Sequence, residues 1–269
     1  MKQKFPQLFE IANRVGTDKG HKGPSKKWSS NNYTDIYQAY FGERCDEALN
    51  LCEIGLGVPG KNWESDIAHG DNRSGGGSMR MWYEFFPNAA FYGLDINPAD
   101  HLENDRIKTF VVDQSSVESL NGFKKQIGKT MFDIIIDDGS HIADHQQLTL
   151  SLLWERLKPG GYYVIEDLND LRSGETRHTK HAPQNCESTR IWFQNYQQSG
   201  AINPNNNFAN FDFLDEITYL AFHSFPVMQQ TRDHIRELVR MAIGRGGKGL
   251  LRHEFRSMAP KIVLFRKAG

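Results

Sequence analysis

The chain has 269 residues, 38% of them hydrophobic and 12% aromatic, enough to bury a substantial core and far from the composition of a disordered segment. A formal net charge of −1 gives no general reason to expect nucleic acid or an anionic membrane as a partner. The three cysteines, Cys45, Cys52 and Cys186, show no paired spacing, which speaks against a disulfide framework or a zinc site and for a reducing compartment. No apolar run approaches the roughly 18 residues of a membrane span, and Met1–Phe9 does not read as a signal peptide. The expectation is a soluble, cytoplasmic protein with no nucleic-acid and no membrane partner.

In chain order, "ALNLCEIGLG" (Ala48–Gly57) is a short apolar run ending in glycines, the pattern of a buried strand and the turn after it. "MRMWYEFFPNA" (Met79–Ala89) has helical spacing and is stopped by Pro87. Two further strands follow, "AFYGLDIN" (Ala90–Asn97) and "IKTFVVDQSS" (Ile107–Ser116), each closing on an acid. "SLNGFKKQIG" predicts a helix, "FDIIIDDGS" a fourth strand, "HQQLTLSLLWERLK" (His145–Lys158) another helix, and "GYYVIEDL" (Gly161–Leu168) a fifth strand. From Asn169 to Phe225 the chain is polar and irregular, and such an insertion beside strand ends is more often a functional lid than a linker. A helix over Thr231–Gly244 and a final edge strand over Met258–Lys267 complete the pattern.

Strands alternating with helices predict an α/β fold: a Rossmann-like, doubly wound, mostly parallel sheet of about seven strands with an inserted lid. The division expected is a covering segment over residues 1–47 and a main domain over 48–269, with the lid near 169–226. The acids then acquire an order. Glu53, Asp95, Asp113, Asp137 with Asp138, and Glu166 with Asp167 all fall at carboxyl ends of predicted strands, where open α/β sheets bind ligands.

The glycine turn at Gly55 and Gly57 lacks a full GxGxxG, and alone it is weak. Joined to Asp95 on the next strand, it matches a plan in which a ligand approaches the backbone and an acid takes a ribose diol. Nicotinamide and S-adenosylmethionine sites share that plan. Glu53 before the glycines suits a ligand carrying an ammonium and a sulfonium better than a diphosphate.

Five separated motifs, "CEIGLG", "GGGSMRMWYEFFPNAAFYGLDI", "RIKTFVVDQSS", "FDIIIDDGSHI" and "LKPGGYYVIEDL", together resemble the class I S-adenosylmethionine-dependent methyltransferases. Within that class the chain resembles the metal-dependent sugar O-methyltransferases of macrolide and related antibiotic biosynthesis. "GTDKG" (Gly16–Gly20) and "YTDIYQAYF" (Tyr33–Phe41) are similar to the amino-terminal signature of that group. The resemblance covers Val15 to Asp167 and fades beyond Leu168. The segments "HKGPSKKWSSNN" and Val58–Ser74 are longer than the family pattern, which leaves the acceptor more open than the cofactor.

The resemblance implies S-adenosyl-L-methionine held by Thr17, Lys19, Glu53, Gly55, Gly57, Ser78, Asp95, Asp113, Gln114, Ser115 and Asp137. It assigns Mg²⁺ or Mn²⁺ to Asp138, Glu166 and Asp167, oxygen donors that suit such hard cations. His141, three residues past Asp138, is the candidate general base, since imidazole titrates near working pH. The partner expected is a sugar or glycoside methylated on a hydroxyl, and the resemblance also suggests a homo-oligomer. An aminosugar amine or another vicinal diol stays open as acceptor, as does a fold kept only as a binding module. Asp137, Asp138 and Ser140 could instead cap the helix that follows, and His145 is expected to face solvent or substrate.

Overall fold

The computed structural model describes residues 6–22, 30–60, 74–168, 187–200, 202, 212–224 and 260–269. Its centre is a seven-stranded sheet in the order β3-β2-β1-β4-β5-β7-β6. The strands are β1 (Asn50–Ile54), β2 (Ala90–Asp95), β3 (Ile107–Val111), β4 (Phe132–Asp137), β5 (Leu157–Ile165), β6 (Ile217–His223) and β7 (Ile262–Lys267). The first five run parallel, and β7 is antiparallel to both β5 and β6. The strand order reverses between β1 and β4, the switch point at which such sheets open a ligand crevice.

The runs behind these strands explain their place. Ile134, Ile135 and Ile136 in β4 are all fully buried, as a strand covered on both faces requires. Helices α1 (Leu8–Val15), α2 (Tyr33–Phe41) and α3 (Gly77–Phe85) supply one apolar layer, packing Tyr37, Phe41, Trp82 and Phe85 on the sheet. Helices α4 (Val117–Gln126), α5 (Ala143–Leu153) and α6 (Thr189–Ser199) cover the other face through Phe123, Leu150, Leu153 and Phe193. Ser116 caps α4, its hydroxyl accepting from the Ser119 amide at 3.1 Å.

Two local departures from the sequence pattern have clear causes. The helix expected to reach Lys158 ends at Leu153, and after a 3₁₀ turn over Trp154–Arg156 residue Leu157 already begins β5. Phe132 pairs with Leu157 but Ile134 pairs with Tyr162, so Lys158–Gly161 form a bulge in which Pro159 costs no ladder bond.

The second departure corrects the carboxyl-terminal strand. It is interior rather than an edge, flanked by β5 and β6, and the edge is β6 from within the stretch read as a lid. Ile262, Val263, Leu264 and Phe265 are all fully buried, so β7 has two apolar faces, the mark of an interior strand. Part of the expected lid is therefore framework: α6 buries Trp192 and sets Phe193 against Phe265 at 4.5 Å between ring centres. The remainder of that stretch, and the helix expected over Thr231–Gly244, lie outside the described residues. None of the described helices is long and apolar enough to cross a membrane.

Candidate active site

The crevice is framed by the turns that follow β1, β2, β4 and β5. The turn after β1 must press against the turn after β4, and Gly55 permits it. At φ 87° a side chain there would be strained, and its Cβ would lie 2.0 Å from the Asp138 carbonyl oxygen. Asp138 in turn donates its amide to the Ile54 carbonyl at 2.9 Å, and Glu166 donates to the Asp137 carbonyl at 2.9 Å. Three strand ends are thus tied into one rim.

Glu53 sits at the floor of that rim, fully buried, with neither carboxylate oxygen hydrogen-bonded. Burial pushes its pKa up to about 7, against the attraction of Lys19; Ser78 and Trp82 beside it also lower it slightly. A buried carboxylate with idle oxygens is a receptor for a cationic group. Ser78, also buried, lies on the first turn of α3 beside it.

Asp95 spends both oxygens on the backbone. Oδ2 accepts from the Leu56 and Val58 amides at 2.9 and 3.3 Å, and Oδ1 accepts from Asn97 at 2.9 Å. It therefore shapes the glycine turn, and a ribose there would add to a network already closed by the chain. Asp113 behaves similarly, its Oδ1 accepting from the Ser115 amide and hydroxyl at 2.8 and 2.6 Å.

Gln114 is committed more fully. Its amide nitrogen donates to both oxygens of Asp137 at 2.7 and 2.8 Å, and its carbonyl accepts the Ser140 amide at 2.9 Å. Asp137 is wholly buried, and burial pushes its pKa up to about 7 even though Gln114 favours the charged form. Gln114 and Asp137 together hold the turn that carries Asp138 and His141.

The reacting end of the rim gathers Asp138, His141 and Asp167. Each offers a ligand atom within 4.8 Å of the others, the group of this kind among the described residues. Asp138 Oδ1 lies 3.9 Å from His141 Nδ1, and Asp167 Oδ2 lies 3.6 Å from His141 Nε2. His141 and Asp167 both occupy left-handed backbone, at φ 58° and 47°, uncommon outside glycine and typical of strained functional turns. His141 Nδ1 is buried without a hydrogen bond. The two carboxylate oxygens are hard donors that fit Mg²⁺ or Mn²⁺, with the His141 imidazole beside them.

Glu166 is placed differently from Asp138 and Asp167. It is fully buried, its Oε2 lies 2.6 Å from Lys19 Nζ, and its Oε1 accepts a short hydrogen bond from the Tyr37 hydroxyl. Lys19 also reaches Asp138 Oδ2 at 2.5 Å, while Tyr33 bonds Asp167 Oδ1. Burial works against the Lys19 ammonium, but Asp138, Glu166, Glu53 and Asp18 outweigh it and hold its pKa above the ordinary lysine range. Thr17, buried in the same loop, has its hydroxyl 3.5 Å from the Lys19 amide. His145 turns away, its Nδ1 2.8 Å from the Ser140 hydroxyl.

Sequence reasoning missed Tyr33 and Tyr37. Their signal was available: an i, i+4 pair puts both hydroxyls on one helix face, and α2 presents that face to the acids.

The sequence and the fold have counterparts among known proteins. No family model matches the chain. It is 39% identical over 163 residues to 8-demethyl-8-alpha-L-rhamnosyl tetracenomycin-C 2'-O-methyltransferase of Streptomyces olivaceus, covering 61% of this chain and 38% of that protein. It is 38% identical over 165 residues to demethylmacrocin O-methyltransferase of Streptomyces fradiae, covering 61% of this chain and 36% of that one. Among solved structures it superposes on the MycE methyltransferase from the mycinamycin biosynthetic pathway, in complex with Mg, SAH and mycinamycin VI. That match has a TM-score of 0.62 and 25% identity, over 98% of this chain and 55% of that one. The chain has the class I methyltransferase fold. The chain spans only 36–38% of the length of these two curated relatives and about half of the solved one, so it corresponds to one portion of each.

Proposed function

We propose that the chain is an S-adenosylmethionine-dependent O-methyltransferase that uses Mg²⁺ or Mn²⁺ and methylates a hydroxyl of a sugar or glycosylated natural product. The observation that carries this reading is the convergence of Asp138, His141 and Asp167 at one rim beside the idle, buried carboxylate of Glu53. The name of one relative, the 8-demethyl-8-alpha-L-rhamnosyl tetracenomycin-C 2'-O-methyltransferase, supports the acceptor class.

An alcohol is a poor nucleophile until its proton is removed, and the residues divide that task. Asp138 Oδ1 and Asp167 Oδ2 would hold a divalent cation; Glu166, which the resemblance also assigns to it, has its two oxygens on Lys19 and Tyr37. Bound there, the cation supplies Lewis acidity that lowers the acceptor's pKa. His141, between the two open oxygens, takes the hydroxyl proton at its imidazole nitrogen. Glu53 holds the ammonium end of the methyl donor, Asp95 and the glycine turn shape its ribose pocket, and Asp137 with Gln114 and Ser115 fix the neighbouring wall. A small-molecule acceptor is the partner this site is built for.

The test is methyl transfer from labelled S-adenosylmethionine to a panel of deoxysugar glycosides, read by mass spectrometry. Chelation with EDTA should abolish transfer and Mg²⁺ or Mn²⁺ should restore it. Full transfer under exhaustive chelation would refute the metal and favour an amine acceptor, which needs no such activation.

A further inference from the structure

The amino-terminal segment does something at the acids that the proposed reaction leaves unexplained. Lys19 lies between α1 and α2, more than a hundred residues from the acids it meets, and its side chain is only 1% exposed. Its ammonium takes Asp138 Oδ2 and Glu166 Oε2, Tyr37 takes Glu166 Oε1, and Tyr33 takes Asp167 Oδ1. Opposite oxygens of the same two aspartates, Asp138 Oδ1 and Asp167 Oδ2, are the ones that face His141.

This is a division of each carboxylate into a held oxygen and a presented one. A free carboxylate rotates, and three gathered at one rim, Glu166 buried and Asp138 and Asp167 partly so, repel unless something neutralises and fixes them. We propose that Lys19, Tyr33 and Tyr37 are positioning residues for the divalent cation: they pin one oxygen of each aspartate so that the other is aimed at the ion, and Lys19 neutralises the cluster while Glu166 anchors Lys19. The inference rests on the metal-dependent reading above and deepens it. It makes the first two turns of α2 and the Gly16–Gly20 loop parts of the metal site. Lys19 is thereby a neighbour of the cation rather than its competitor, because the two use different oxygens of Asp138.

The experiment uses the full chain, stripped of metal, with Mn²⁺ as the probe and free Mn²⁺ read by electron paramagnetic resonance. S-adenosylhomocysteine affinity is measured in parallel by calorimetry. Lys19→Met should weaken Mn²⁺ binding by about tenfold or more, the loss typical of removing a group that orients a metal ligand. Tyr33→Phe and Tyr37→Phe, which remove one hydroxyl each, should weaken it by a smaller but measurable factor. Affinity for S-adenosylhomocysteine should stay close to wild type in all three, a split that general loss of structure would not give.

Equal or tighter Mn²⁺ binding by Lys19→Met would overturn the proposal and make the ammonium a competitor. A loss confined to S-adenosylhomocysteine would overturn it too and return Lys19 to the cofactor. Should Lys19→Met fail to fold, unchanged Mn²⁺ affinity in both tyrosine variants refutes the clamp. A wild-type chain that takes up no Mn²⁺ refutes the metal-dependent reading itself, and the clamp with it.

Discussion

Replacing Glu53 by Gln tests whether the crevice floor stores an electrostatic cost that only a bound cation relieves. Glu53 is fully buried, and its pKa is pushed up to about 7, with burial the largest cause. In the unfolded chain the same carboxyl titrates near 4.5. Below that value both states hold the proton and Glu53 costs nothing. As the pH rises toward about 7 the unfolded chain loses its proton first, so stability falls, and it levels off above pH 7. A gap of roughly 2.5 units corresponds to ~3.5 kcal/mol at 1.36 kcal/mol per unit. Gln removes the titration but also the attraction to Lys19, so the expected net gain at pH 8 is about 1–3 kcal/mol. At pH 5 the gain should be smaller, about 1 kcal/mol or less, because the folded carboxyl is still protonated and the unfolded one has only begun to titrate. The assay is urea denaturation of the ligand-free and metal-free protein at both pH values. Asp137 also titrates near 7, so the quantity that counts is the change in the variant-minus-wild-type difference between the two pH values. A variant no more stable at pH 8 than at pH 5, relative to wild type, would refute the reasoning. The same variant should bind S-adenosylhomocysteine more weakly, because it lacks the charge that meets the ammonium.

Three further outcomes are expected. His141→Asn keeps a residue that tolerates the left-handed backbone at φ 58° while removing the base, so kcat should fall by about 10²–10⁴ with S-adenosylhomocysteine affinity retained; single-turnover rates within a few-fold of wild type would remove His141 from catalysis. Gly55→Ala puts a Cβ 2.0 Å from the Asp138 carbonyl and a strained φ at 87°, and should cost more than about 2 kcal/mol in denaturation; an unchanged midpoint would show that the two turns separate freely. Ser116→Ala, which removes the α4 cap just behind Gln114 and Ser115, should cost about 1 kcal/mol in denaturation.

What the sequence made legible was set by locality. Strand ends bearing acids could be read because a buried apolar run followed by a carboxylate is a contiguous pattern, and β1, β2, β3 and β4 all show it. The interior position of β7 was harder to read, since nothing within "IVLFRK" names its neighbours. Its two buried faces are the clue that it cannot be an edge. The strand "ITYLAFH" was lost because polar, asparagine-rich chain precedes it and the whole stretch took the character of its flanks. At the site, Asp138 and Glu166 carry the same local signature, a strand end in the crevice. Their environments differ because Tyr37 and Lys19 arrive from far along the chain. Periodicity cannot report such contacts.

The geometry of the rim therefore depends on parts of the chain that carry none of its acids. Glu166 and Asp167 leave β5 by a turn whose next residue, Leu168, donates its amide to the Lys261 carbonyl at 2.9 Å, just ahead of β7. Gln146 on α5 adds a 3.1 Å bond to the Glu166 carbonyl from the other side. The left-handed backbone of Asp167 is thus held by β7 behind it and by Tyr33 in front. Strain at a single residue persists only when the surroundings over-determine it, and here the surroundings are the two ends of the chain. The antiparallel strand beside β5 therefore also bears on the rim. Between β5 and β6 it buries both of its faces, and Lys261 just before it holds the turn that carries Asp167 toward His141.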